Sequence, residues 1–159
     1  MSERLTSEWM ESTKEAFGVS GEKGDAGEMF LCKVFDDWGW DYILHSSSRY
    51  HQTKGIDISF KKPSWKNFYT ADVKNNLNDS GNFFIETDPL GWLFKPTKTS
   101  DRIWHVNCDN GMMAWYDRNQ MKNYIIECDL YDTGLMMFDR KVDFVTKSKY
   151  HTPLNDGDK

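Results

Sequence analysis

Gly55-Ile56-Asp57-Ile58-Ser59-Phe60 and, further on, Thr70-Ala71-Asp72-Val73-Lys74-Asn75-Asn76 are the two stretches that decide the fold. Side chains of a β-strand alternate faces with a period of two. Ile56, Ile58 and Phe60 are therefore expected to bury one face while Asp57 and Ser59 project from the other. In the second stretch Ala71 and Val73 pack, and Asp72 and Lys74 share the opposite face. Between them Lys62-Pro63-Ser64-Trp65-Lys66-Asn67 has the proline, serine and asparagine of a hairpin turn. A hairpin that turns there sets Asp57 roughly opposite Asp72 and Lys74, so two carboxylates and a lysine point toward one place. Such a cluster suits a hard, oxygen-seeking divalent cation, because magnesium is held by one or two carboxylates, keeps several waters and takes phosphate oxygens as further ligands. A lysine beside the metal can orient or help deprotonate an attacking water and offset charge in the transition state.

Working outward, Phe30, Val34 and Trp38 recur at helical spacing and Leu31 and Phe35 widen the stripe, which predicts a helix over 23–38 closed by Gly39. Leu5, Trp9 and Phe17 predict an earlier helix over 3–17, so residues 1–20 read as an N-terminal helical extension. Tyr42-Ile43-Leu44 reads as a strand. Downstream, strands are expected over 82–86, 102–106 and 112–116, with Asp109-Asn110-Gly111 as a turn and Asp117 capping a helix over 118–125. A last strand is expected over 136–145, and residues 151–159 read as a flexible tail. With no repeat and no linker, residues 1–150 form one α/β (α+β) domain, a fitting size for 159 residues.

Composition narrows the function classes. Seven Trp, seven Tyr and ten Phe are core material and argue against disorder. Apolar runs of five residues or fewer, against the roughly 20 a spanning helix needs, exclude a transmembrane segment. The first ten residues lack a basic start followed by an apolar stretch, so the expected location is the cytoplasm. Cys32, Cys108 and Cys128 form no Cys-x-x-Cys pair, and His45, His51, His105 and His151 fall in no metal-ligand spacing, so neither a disulfide framework nor a zinc site is indicated. Ser46-Ser47-Ser48 lacks the glycines of a nucleophile elbow. The net charge of −5 argues against a nucleic-acid partner until it is divided along the chain: residues 49–74 carry +4, through Arg49, Lys54, Lys61, Lys62, Lys66 and Lys74 against Asp57 and Asp72. Steering is local over a Debye length of about 8 Å, so that segment can hold a phosphate chain. Arg49, Lys54, Lys61, Lys62 and Lys66 are the candidate DNA contacts. Trp92 and Phe94, interleaved with Lys95 and Lys98, read as core packing or as a stacking platform for a base.

An acid-x-Lys triplet alone arises by chance in most chains of this size, but its setting here resembles the PD-(D/E)XK nuclease superfamily. That pattern is an acid on one strand, acid-x-Lys on the next, and a preceding helix that bears a glutamate. Asp57 matches the first acid, with Ile56 where proline is usual; Asp72-Val73-Lys74 matches the second element; Glu28, in Gly24-Asp25-Ala26-Gly27-Glu28, matches the helix glutamate in surroundings like those of resolvase-type members. The resemblance spans residues 24–76. Beyond it only the layout is similar, and Gln120 and Tyr124 fit the Gln-x-x-x-Tyr spacing of exonuclease-like members but lie farther from Lys74 than expected. The resemblance implies a restriction-endonuclease-like mixed central sheet flanked by helices. It also implies a DNA endonuclease dependent on Mg²⁺, with Mn²⁺ as substitute, that leaves 5′-phosphate and 3′-hydroxyl ends. Such enzymes often work as homodimers, some are selective for junction or branched DNA, and the sequence leaves open whether linear duplex, single strand, flap or four-way junction is cut. Asp57, Asp72, Glu28 and the Val73 carbonyl would hold the metal, and Lys74 would stand at the water. The alternative is a non-catalytic DNA-binding or assembly protein on the same fold.

Overall fold

A computed structural model describes residues 22–138 and 142–150. Helix α1 (Glu22–Trp38) follows its predicted stripe, with Phe30, Leu31, Val34 and Phe35 buried. It ends at Gly39, whose φ of +75° is left-handed; the Gly39 amide donates to the Asp36 carbonyl (3.2 Å) and the Trp40 amide to the Phe35 carbonyl (2.9 Å). This double bond pattern satisfies carbonyls the helix end leaves open, and glycine adopts the required backbone without a Cβ penalty. Strand β1 (Asp41–Leu44), a short helix α2 (Arg49–Thr53), β2 (Ile58–Lys61) and β3 (Tyr69–Lys74) come next. Strand β4 (Phe83–Glu86) and a long irregular connection lead to β5 (Arg102–Asn107), β6 (Met112–Asp117), α3 (Arg118–Glu127), β7 (Leu135–Phe138) and β8 (Thr146–Lys149).

Six strands form one sheet in the order β1-β2-β3-β5-β6-β8, and β4 pairs with β7 in a separate two-stranded ladder. Every pairing in the large sheet is antiparallel except β3 with β5, which run parallel with Asp72 opposite Ile103 and Lys74 opposite His105. Hence the protein is α+β, with a mixed sheet flanked by helices. One face carries Ile58, Phe60, Ala71, Val73, Trp104 and Val106 under α1, where the Phe35 ring stacks on Trp40 and Phe60 and meets Trp104 edge-on, each at 5.4 Å between centroids. The other face is covered by Phe83, Ile85, Leu93, Met121 and Ile125, packed with Ile103 and Tyr116.

Three expectations change. Helix α2 was not expected: none of its residues is buried, so it has no apolar stripe to read, and it starts where the Ser48 side chain accepts the His51 amide. Of the described residues in the strand expected over 136–145, only 136–138 are strand, within β7; the Val145 amide closes a turn on the Val142 carbonyl (3.0 Å), and β8 starts at Thr146, in the other sheet. An apolar run does not by itself distinguish a strand from a packed turn. Residues 56 and 57 precede β2, although the Asp57 amide still donates to the Ala71 carbonyl (2.9 Å). The helix expected over 3–17, the extension over 1–20 and the tail over 151–159 lie outside the described residues. Among those described, no helix is long and apolar enough to cross a membrane.

Candidate active site

Alternation places Asp57, Asp72 and Lys74 on the sheet face opposite α1, because their neighbours Ile58, Ala71 and Val73 are spent on the α1 side. The three meet. Asp57 Oδ2 accepts the Val73 amide at 2.8 Å, which fixes its carboxylate against β3, and Lys74 Nζ lies 3.3 Å from Asp72 Oδ1. Asp72 is 4% exposed. Burial pushes its carboxyl up to about 7; Lys74 opposes that rise, Asp57 adds to it by its charge and a hydrogen bond, and Arg118 opposes it more weakly. Near neutral pH this acid therefore stands between its two protonation states.

The walls come from the chain's second half. The Trp92 ring lies 4.9 Å from Lys74 Nζ, in cation–π range. His105, beside Lys74 in the sheet, is fully buried and makes hydrogen bonds with Asn76 Oδ1 through Nδ1 (2.5 Å) and with the Tyr116 hydroxyl through Nε2 (2.7 Å). Burial, then the Lys74 charge, lowers its pKa to about 3, so the ring is neutral. On the Asp57 side, the His45 and His51 rings stack 3.7 Å apart and nearly parallel, His45 hydrogen-bonded to Ser59 Oγ and His51 to Ser48 Oγ, each at 2.7 Å. Burial and His51 lower the His45 pKa, against the pull of Asp57.

Glu28 stands half-buried on α1. Its neighbour Gly27 abuts Asn75, one position beyond the end of β3: a Cβ there would come within 3.1 Å of the Asn75 Cβ. Among the described residues, no three histidine, cysteine or acidic side chains gather closely enough to hold a metal ion, so Glu28 does not complete a three-carboxylate cluster with Asp57 and Asp72. Val73 buries its side chain under α1. The basic residues divide into two groups. Arg49 opens α2 and Lys54 is its C-cap, near the Asp57 end, whereas Lys61, Lys62 and Lys66 sit at the hairpin turn, four residues along β2 or about 13 Å away. Lys54 Nζ donates to the Tyr50 hydroxyl (2.7 Å) and Lys61 Nζ to the Trp65 carbonyl (2.9 Å). Gln120 is exposed, with its amide on the Asp117 cap, and Tyr124 packs edge-on against Phe144.

Sequence reasoning did not place Arg118, His105, Tyr116 or the His45–His51 stack, and it left Trp92 between two roles. No local pattern marks them: Arg118, His105 and Tyr116 reach the site through pairings between distant segments, and His45 and His51 meet through the short helix α2, which carries no apolar stripe. Compared with models of protein families, with curated proteins and with solved structures, the chain matches none.

Proposed function

We propose that the protein is a magnesium-dependent deoxyribonuclease of restriction-endonuclease-like fold that hydrolyses phosphodiester bonds in DNA to 5′-phosphate and 3′-hydroxyl ends. One observation carries the reading: Asp57, just before β2, and Asp72 and Lys74, on β3, converge, and one of the two carboxylates is buried with its pKa raised into the neutral range. A divalent cation fits this donor set, because hard oxygens are the ligands magnesium takes, it needs only one or two carboxylates beside waters and phosphate, and its charge would favour the ionised Asp72 that burial disfavours. Asp57 and Asp72 would hold it, with the Val73 carbonyl as a further ligand. When bound, it supplies Lewis-acid polarisation of a phosphate and acidification of water. Lys74 places an ammonium beside these carboxylates, where it would orient the attacking water and offset charge on the phosphoryl oxygens. Glu28 belongs to the proposal as outer support from the α1 side. Arg49 and Lys54 extend positive charge from the Asp57 end, and Lys61, Lys62 and Lys66 offer a second contact for a long duplex. A homodimer and a preference for branched or junction DNA remain part of this proposal, as does a cytoplasmic location.

The second reading, a non-catalytic DNA-binding or assembly protein, is favoured by the two-acid count and by Lys74 being turned onto Asp72 and Trp92. Cleavage of linear, circular and branched DNAs with Mg²⁺, Mn²⁺ or EDTA, together with calorimetric titration of Ca²⁺, separates the two. Metal-dependent cutting that Asp72→Asn abolishes supports the nuclease. DNA binding with neither cutting nor carboxylate-dependent metal uptake supports the binding protein.

A further inference from the structure

We infer that Arg118 is a positioning residue of this site, which pins the main chain of the β4–β5 connection so that the Trp92 ring holds the Lys74 ammonium in place. The effect expected on turnover rests on the nuclease reading; the contact itself rests on geometry alone.

Arg118 is the first residue of α3, where a long cation ordinarily reaches solvent, yet it is 3% exposed. A buried guanidinium is tolerated only when its donors are satisfied. Nε donates to the Ser100 carbonyl (2.9 Å), Nη2 to Ser100 Oγ (2.6 Å), and Nη1 to the carbonyls of Trp92 (2.7 Å) and Leu93 (2.8 Å). These acceptors all belong to the connection between β4 and β5. Irregular backbone carries polar groups that no sheet ladder or helix satisfies, and here loop carbonyls and a buried cation satisfy one another. The planar fork matters, because a single ammonium on a flexible stem cannot reproduce a fixed set of bonds to two separate stretches of main chain.

The consequence is carried through Trp92. Its carbonyl is held from below by Arg118, while its ring lies 4.9 Å from Lys74 Nζ and 5.9 Å from the His105 ring centre. Lys74 is thereby restrained from two sides, by Asp72 Oδ1 at 3.3 Å and by the indole face. A lysine stem is flexible, so without the indole its ammonium would keep one restraint where it now has two.

The test observes Lys74 directly. In protein labelled with ¹³C-lysine, the Lys74 side-chain methylene resonance is assigned by its loss in Lys74→Arg. In the wild type it should be displaced upfield by the Trp92 ring current; Trp92→Leu should abolish the displacement and Trp92→Phe should restore part of it. Arg118→Lys, which keeps the charge but not the fork, should lose most of it. An Arg118→Lys protein that folds and keeps the full displacement overturns the inference. If that variant does not fold, wild-type protein labelled with ¹⁵N-arginine decides instead: a guanidinium held on the loop carbonyls should show separate, exchange-protected Nη resonances for Arg118, and averaged, unprotected ones overturn the inference. In the cleavage assay Arg118→Lys should lower kcat by up to about 10²-fold, the scale of a small misplacement near reacting atoms, with Ca²⁺-supported DNA affinity kept. If the wild type cuts no DNA, the nuclease reading fails while the resonance still decides the role of Arg118.

Discussion

Replacing Asp72 by asparagine should make the metal-free protein more stable at pH 8 and leave it nearly unchanged at acid pH. The Asp72 carboxyl is raised from 3.8 to about 7, mainly by burial. A carboxyl raised on folding is bound to its proton in the native state and has lost it in the unfolded chain, so the folded state loses ground as pH climbs from about 4 to about 7. At 1.36 kcal/mol per pH unit, the interval from pH 5 to the native pKa costs the wild type about 3 kcal/mol. The asparagine amide has nearly the same shape as the carboxyl and no charge, so the variant escapes this loss. Urea unfolding in EDTA at pH 5 and pH 8 reads it directly: the stability of Asp72→Asn relative to wild type should rise by about 3 kcal/mol between the two. A difference that stays constant with pH would refute the reasoning, since Asp72 would then titrate as an exposed acid does. Adding Mg²⁺ at pH 8 should reverse the ranking, because a cation that binds only the native wild type stabilises it by mass action.

Lys74→Ala should leave folding and Ca²⁺ affinity near wild type and lower DNA cleavage by about 10² or more, the scale of a lost charge-stabilising group; cleavage at the wild-type rate would remove Lys74 from the chemistry. Reversing Arg49 and Lys54 to glutamate should flatten the log-log salt dependence of duplex affinity by about 0.9 per lost phosphate contact. The same reversal at Lys61 and Lys62 tests the hairpin end separately, and an unchanged slope there would confine the DNA to the α2 side. Gly55→Ala should destabilise the fold by about 1 kcal/mol, because Gly55 has a φ of +68° that L-residues enter at a cost; thermal unfolding should show a loss of about 3 °C, and an unchanged melting point would contradict that cost.

What was legible in the sequence was what short-range periodicity encodes. Period two put Asp57 with Ser59, and Asp72 with Lys74, on one face, and the hairpin between them supplied the antiparallel pairing of β2 with β3. The Phe30–Val34–Trp38 spacing and Gly39 gave α1 and its end. The parallel join of β3 to β5 was not legible, because 27 residues intervene and no local pattern states which strand returns beside which. Everything that depends on that join was hidden with it: His105 beside Lys74, the Trp92 ring, and Arg118 reaching back 26 positions to the Trp92 carbonyl. Helix α2 escaped for a different reason, since five exposed residues on a serine cap carry no periodic signal.

The parallel join also divides the molecule in time. Strands β1, β2 and β3 form a meander of short-range pairings, and β5 with β6 is a local hairpin, whereas uniting the two requires closing the long connection that contains β4 and Trp92. In an isolated meander Asp72 would lie on an uncovered face and ionise as an exposed aspartate does. Its burial begins when the second half closes over it. Between about pH 4 and pH 7 that closure takes up a proton, so the step that completes the chain's longest loop is also the step at which the protein exchanges hydrogen ions with its surroundings.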